Sequence, residues 1–244
     1  SLPNKQGSRF WDLYTATLSD SSGLTTWQNI KETVGLSSPS PSRFERLTQG
    51  GRAAHPHYSP DENKIVYVHN QGGTNNLATL DVATKQTRFL TRFTDGTQIH
   101  TPDWSPDGSQ IAFSIFTPDG DRSIGVIPAE GGDWQYLVTS TETDRDPRWT
   151  PDGSGLVFSS DQDGIFDLFH LDLASRDVHR ITRVLGGAIQ PDVRIRDGRI
   201  AFAHYGKAGY EIRTIDKNDV WELVPAGTFS SSRTVPPSVE EPAR

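Results

Sequence analysis

The chain contains no cysteine and no methionine. Without cysteine there is no disulfide, no thiol nucleophile and no thiolate-bound metal. The lack does not fix a compartment, because a cysteine-free chain persists in reducing and oxidising surroundings alike. No run of about 18 apolar residues occurs, so no helical membrane span is expected. Apolar residues make up only 33% of the 244. Clustered positive charge is missing as well. Acidic side chains number 31 against 24 basic ones, a net charge of −7, which disfavours nucleic acid as a partner. Residues 1–7 are polar and lack the basic-then-apolar pattern of a signal peptide. An export signal, if the protein is exported, is expected upstream of this segment. No nucleophile-elbow, P-loop, dinucleotide or His-Glu-x-x-His motif is present.

What is there is a repeat. Pro56-His57-Tyr58-Ser59-Pro60-Asp61-Glu62, Pro102-Asp103-Trp104-Ser105-Pro106-Asp107-Gly108 and Pro147-Arg148-Trp149-Thr150-Pro151-Asp152-Gly153 align. Pro191-Asp192-Val193 opens a degenerate fourth copy with its turn at Arg196-Asp197-Gly198. The opening prolines are 46, 45 and 44 residues apart. Nine residues after each comes an apolar run: Ile65-Val66-Tyr67, Ile111-Ala112-Phe113, Leu156-Val157-Phe158 and Ile200-Ala201-Phe202.

Each copy reads as four short strands. Proline suits the first, where a ladder N–H is not needed. Ser/Thr-Pro-Asp-Gly is a tight turn: proline presets φ, aspartate bonds back to the backbone, and glycine takes the positive φ. The apolar run is strand two. Strand three is expected at Leu77–Val82, Ile124–Pro128, Asp167–Leu173 and Glu211–Asp216. Strand four is expected at Thr87–Thr91, Gln135–Thr139, His179–Thr182 and Trp221–Val224. A period near 45 with four strands per unit is the signature of β-propeller blades. The fold class is therefore all-β: four recognisable four-stranded antiparallel blades, expected to belong to a ring of six to eight. Tyr58, Trp104 and Trp149 are expected between blades.

Three regions follow. Residues 46–225 carry the blades, and 226–244, rich in Ser, Pro and Glu, are expected to be a disordered tail or linker. Residues 1–45 hold two competing signals. Asp12–Leu18 resembles the third strand of the third copy, and Arg46-Leu47-Thr48 matches Arg180-Ile181-Thr182, which suggests part of another blade. Thr26, Trp27, Ile30 and Val34 instead space a short helix with Thr26 as N-cap. Leu36 to Pro41 is a Ser/Pro-rich linker.

Candidate chemistry concentrates at the blade-opening prolines, on the strand that lines a propeller channel. His55, His57, His100, Thr101, Asp103, Arg145, Asp146, Arg148, Gln190 and Asp192 flank them. The repeat is expected to bring these mixed polar groups into a ring suited to hydrogen bonds and charge pairs with a peptide; a plain water-filled channel is the competing reading. His55 and His57, two apart on a strand, would share a face and with Asp146 suggest a metal site; solvated histidines at a channel mouth are the competing and preferred reading. Asp161-Gln162-Asp163-Gly164 has part of a calcium-loop pattern, but its glycine falls too early, and a turn is preferred. No cofactor and no metal are expected.

These motifs resemble the TolB-like propellers, over about Arg46 to Val224. The stretch from Ser159 through Pro191 to Tyr210 resembles the propeller of large bacterial envelope proteins, which carry a peptidase-like domain before it and an outer-membrane β-barrel after it. The resemblance implies a non-catalytic scaffold that binds a protein or peptide in the cell envelope, periplasmic or outer-membrane-associated, one module of a larger polypeptide or completed by another chain. Two alternatives follow from related propellers: a substrate-gating domain of a larger peptidase, or a channel-centred, metal-dependent hydrolase.

Overall fold

The computed structural model describes residues 2–3, 11–16, 44–50, 52–120, 122–216, 219 and 221–230. The helix expected after Thr26 and the linker after Leu36 lie outside them. The chain divides into two compact units, Ser1–Ala54 and His55–Arg244. Every regular element among the described residues is a strand, and no helix is long and apolar enough to cross a membrane.

In the first unit β1 (Leu2–Pro3) pairs with β2 (Trp11–Asp12), and β3 (Tyr14–Ala16) with β4 (Phe44–Arg46). The blades follow in chain order. The first is β5 (Arg52–Tyr58), β6 (Lys64–Gln71), β7 (Thr74–Asp81) and β8 (Thr87–Phe89). The second is β9 (Gln98–Trp104), β10 (Gln110–Phe116), β11 (Arg122–Pro128) and β12 (Gln135–Val138). The third is β13 (Asp144–Trp149), β14 (Gly155–Ser160), β15 (Asp167–Asp172) and β16 (Val178–Arg180). The fourth is β17 (Ala188–Val193), β18 (Ile200–Gly206) and β19 (Gly209–Ile215).

Period-two alternation on β6, β10, β14 and β18 divides the apolar runs between two faces. Ile111 and Phe113 turn back onto Val66, Val68 and Leu77 of the first blade. Ala112 turns forward to Trp149, Leu156 and Phe158 of the third. Val157 and Leu168 turn forward to Ile200 and Phe202 of the fourth. Each interface is thus a sheet-on-sheet core, and each large buried side chain contributes roughly 1.5–3 kcal/mol. Trp104 and Trp149 are buried at these interfaces, whereas Tyr58 is 47% exposed. The expectation of three equivalent aromatics holds for two. Tyr58 opens the first blade of its unit, so that unit has no earlier blade for it to enter.

The turns form as their residues dictate. Ser105 Oγ donates to Asp107 Oδ1 at 2.5 Å and accepts from Gln110 N at 2.9 Å. Ser59–Asp61 and Thr150–Asp152 repeat the bond at 2.6 and 2.7 Å. These bonds hold the Asp61, Asp107 and Asp152 carboxyls down to about 2. Gly108 and Gly153 sit at φ 71°, and Glu62 fills the same place at φ 60°. In the fourth copy the positive φ moves one place on, to Gly198, and Arg194 bonds Asp197 across the turn.

A second device ties strand three to strand four. In the first blade the Thr91 hydroxyl accepts from Leu77 N and donates to Asn76 Oδ1, both at 2.9 Å. In the third blade Thr182 does the same with Leu168 N and Asp167 Oδ1, at 2.9 and 2.7 Å. In the first unit Thr48 does it with Leu13 N and Asp12 Oδ1, at 2.9 and 3.1 Å.

The fourth blade departs from the repeat. The strand expected at Trp221–Val224 does not return along β19. As β20 (Glu222–Leu223) it pairs with β16, becoming a fifth strand of the third blade. The reason lies just beyond it. Phe229 packs edge-on against Phe158 and Phe169, at 5.5 and 5.4 Å between centroids. Ser230 exchanges backbone bonds with Thr139 at 2.7 and 2.8 Å. The tail expected from Ala226 is thus packed through Ser230, while 231–244 lie outside the described residues.

Replacing Glu62 by glycine removes a Cβ from a left-handed position at a small entropic cost. Glu62→Gly is expected to raise stability by about 0.5–1 kcal/mol, read as an increase in the denaturant midpoint at unchanged slope.

Candidate binding site on the inner strands

The inner strands β9, β13 and β17 each carry a bulge at the opening proline. The ladder slips between Ala112 and Ser114, between Arg145 and Arg148, and between Ile189 and Asp192. The residue before each proline is left-handed: His55 at φ 51°, Thr101 at 46°, Asp146 at 57° and Gln190 at 53°. Proline disfavours the helical region for its predecessor, and a left-handed β-branched residue such as Thr101 is an outlier. Four copies of one strained conformation at one position mark the segment as held in place by its surroundings.

The bonds that hold it are visible at Ser114. Its hydroxyl lies 2.9 Å from Thr101 Oγ1 in its own blade and accepts from Asp146 N at 2.9 Å in the next. Arg145 Nε donates to Asp146 Oδ2 at 2.9 Å, and its guanidinium lies 5.1 Å from the centre of the Phe166 ring. The His55 and His100 rings meet edge-on at 5.7 Å. Burial lowers the affinity of both for protons; nearby Asp146 opposes this without reversing it.

The residues just after the prolines form a second group. Asp103 is buried, accepts from Trp149 N of the next blade at 2.8 Å, and lies 3.4 Å from His57 Nδ1 of the preceding one. Burial raises its pKa, against the attraction of Arg148 and His57; Asp192 adds to the rise. The order His57, Asp103, Arg148, Asp192 therefore alternates in charge type from blade to blade.

The structure gathers the expected residues along one set of strands but splits them. His55, His100, Arg145 and Asp146 form one neighbourhood; His57, Asp103, Arg148 and Asp192 form the other. Gln190 shares the strained backbone and makes no side-chain bond. The expectation that His55 and His57 share a face fails, because the left-handed residue breaks the alternation between them. Among the described residues no three His, Asp or Glu side chains are grouped to hold a metal. In the calcium-like stretch Asp161 accepts from Thr143 N at 2.7 Å and Asp163 pairs with Arg180 at 2.5 Å, so both carboxylates serve loop and strand contacts.

Sequence reasoning missed Asp144. Its carboxyl is fully buried and accepts from Ser160 and Ser140 hydroxyls at 2.7 and 2.9 Å. Burial outweighs these bonds, and with repulsion from Asp161 and Glu142 the pKa rises to about 7. No motif marks it, since the equivalent positions in neighbouring copies are Ile99 and Ala188.

Successive four-stranded antiparallel sheets, packed face to face with their proline-opened strands innermost, define a β-propeller. The chain belongs to the TolB β-propeller family, whose domain model matches residues 54–240. It resembles TolB from Acinetobacter baumannii at 21% identity and TM-score 0.64, over 74% of this chain and 45% of that one. It also resembles a putative TolB from Agrobacterium tumefaciens at 19% identity and TM-score 0.65, over 76% and 70%. Puromycin hydrolase matches at 18% identity and TM-score 0.57, over 76% of this chain and 34% of that one. The chain thus spans less than half the length of the Acinetobacter protein. At these identities the structural likeness is one of fold.

The raised pKa of Asp144 gives a signed prediction. A carboxyl that binds its proton more tightly when folded contributes stability fully present below about pH 4 and lost as pH rises through about 7. Wild type is expected to lose on the order of 2–4 kcal/mol over that range from this group. Asp144→Asn is expected to remove most of that loss, so denaturation midpoints at pH 4.5 and pH 8 should converge in the variant.

Proposed function

We propose that this chain is a non-catalytic propeller module that binds a protein or peptide segment, within an exported protein of the bacterial cell envelope. One observation carries the reading. Four strained, register-equivalent positions hold His55, Thr101, Asp146 and Gln190 on the inner strands, next to the mixed-charge set His57, Asp103, Arg148 and Asp192. A scaffold whose inner strands served packing alone would not hold polar side chains in a costly conformation there. Alternating charge and neutral imidazoles suit an extended backbone with side chains of both signs. Placement in the periplasm or at the outer membrane rests on family resemblance.

The strut shared by Asp12–Thr48, Asn76–Thr91 and Asp167–Thr182 supports a further assignment. Residues 11–16 and 44–48 are the outer half of another blade, so blade material begins before residue 46.

The fold likeness to puromycin hydrolase supports the alternative of a propeller attached to a peptidase, in which the same inner strands would gate substrate. The two readings share this site and differ in what lies beyond the chain.

A peptide selected against the wild-type chain and labelled for anisotropy tests the site. Arg148→Glu replaces the cation facing Asp103 with a third anion and is expected to weaken binding at least about tenfold. Unchanged affinity in both Arg148→Glu and His57→Ala, with the fold intact by circular dichroism, would remove the inner strands from consideration.

A further inference from the structure

We infer that the outer edge of the fourth blade is a self-association surface, and that its occupant is the same strand of a second copy of this chain. In the other three blades a fourth strand, β8, β12 or β16, closes the edge. Among the described residues β19 is the last strand of its sheet, and the segment the repeat assigns to that place runs instead along β16. Seven residues of backbone edge are left for a strand to join.

The side chains there belong to an interface by register. Leu77, Ile124, Leu168 and Ile212 each pair with the residue twelve after their blade's opening proline, namely Val68, Ser114, Ser159 and Ala203. The first three are 0% exposed between blades; Ile212 is 75% exposed. Tyr205 and Tyr210, a directly opposed pair with rings 5.0 Å apart, extend the same face and are also exposed.

Charge identifies the second copy as the partner. An antiparallel pairing of β19 with itself, centred on Ile212, sets Ile212 opposite Ile212 of the second copy. Glu211 then stands opposite Arg213 of the second copy, and Arg213 opposite its Glu211. Tyr210 stands opposite its Thr214. Glu211 and Arg213 already meet at 2.5 Å within one strand, on the face opposite Ile212. The paired edge therefore offers two opposite-charge cross-strand pairs beside one apolar contact, the combination that stabilises antiparallel pairing. The association is isologous and closes at two chains.

The test uses the full chain in sedimentation velocity from about 1 to about 200 μM. Wild type is expected to approach twice 27.0 kDa. Glu211→Arg or Arg213→Glu alone sets like charges opposite each other twice, and is expected to weaken self-association about tenfold. The double variant Glu211→Arg/Arg213→Glu restores both pairs and should regain it. The absence of cysteine adds a direct readout. In Ile212→Cys the two thiols meet at disulfide range across the two-fold axis, so mild oxidation is expected to give a covalent dimer faster than in Ile195→Cys, another exposed position. A monomer throughout the range overturns the inference. So does a dimer indifferent to the charge reversals, or cross-linking no faster at 212 than at 195, because each would place the contact on another surface or with another partner.

Discussion

A four-stranded sheet with apolar side chains on both faces cannot be stable alone, and this constraint organises the molecule. Each blade gives one face to the blade before it and the other to the blade after it. The opening proline, the turn nine residues later and the alternation of the apolar run set which residue goes to which side. Ile111 and Phe113 look back and Ala112 looks forward because β10 has a period of two and two neighbours. The same constraint explains the exceptions. Tyr58 at one end and Ile212 at the other occupy interface positions without a packed neighbour in their unit.

Most of the fold was legible because its signals are local and repeated. The turn chemistry of Ser105-Pro106-Asp107-Gly108 needs only adjacent residues, and its spacing to Ile111 follows from the pairing of β9 with β10. What was not legible depends on distant residues. Nothing near Trp221–Val224 shows that β16 captures it, because the cause is Phe229 entering a crevice lined by Phe158 and Phe169. The site was half visible. The polar residues flanking each proline could be found by alignment, but the left-handed backbone before it could not, since His55, Thr101, Asp146 and Gln190 share no side-chain feature that requires it. That hidden bulge is why His55 and His57 part company. Asp144 escaped for the opposite reason: it breaks the repeat, where a reading by analogy looks for what recurs.

The inner strands combine order and latitude. Asp103 is buried, tied to Trp149 of the next blade and approached by His57 of the previous one, so a change there is felt across three blades. His57 and Gln190 make fewer commitments. A recognition surface of this kind keeps its frame fixed through the buried carboxylates and varies its chemistry through the residues between them. The left-handed positions add to this, because the backbone strain is met by the Ser114 bonds rather than by the side chains that face outward.

The contact between Ser230 and Thr139 spans 91 positions of chain. During synthesis the blades can add one after another, each needing only its predecessor. The crevice between the second and third is different. It stays unsealed on the ribosome until the fourth has been made and the chain has come back with Phe229. The segment that fastens this seam is therefore among the last described residues to emerge, and the finished seam records that translation has passed beyond the blades.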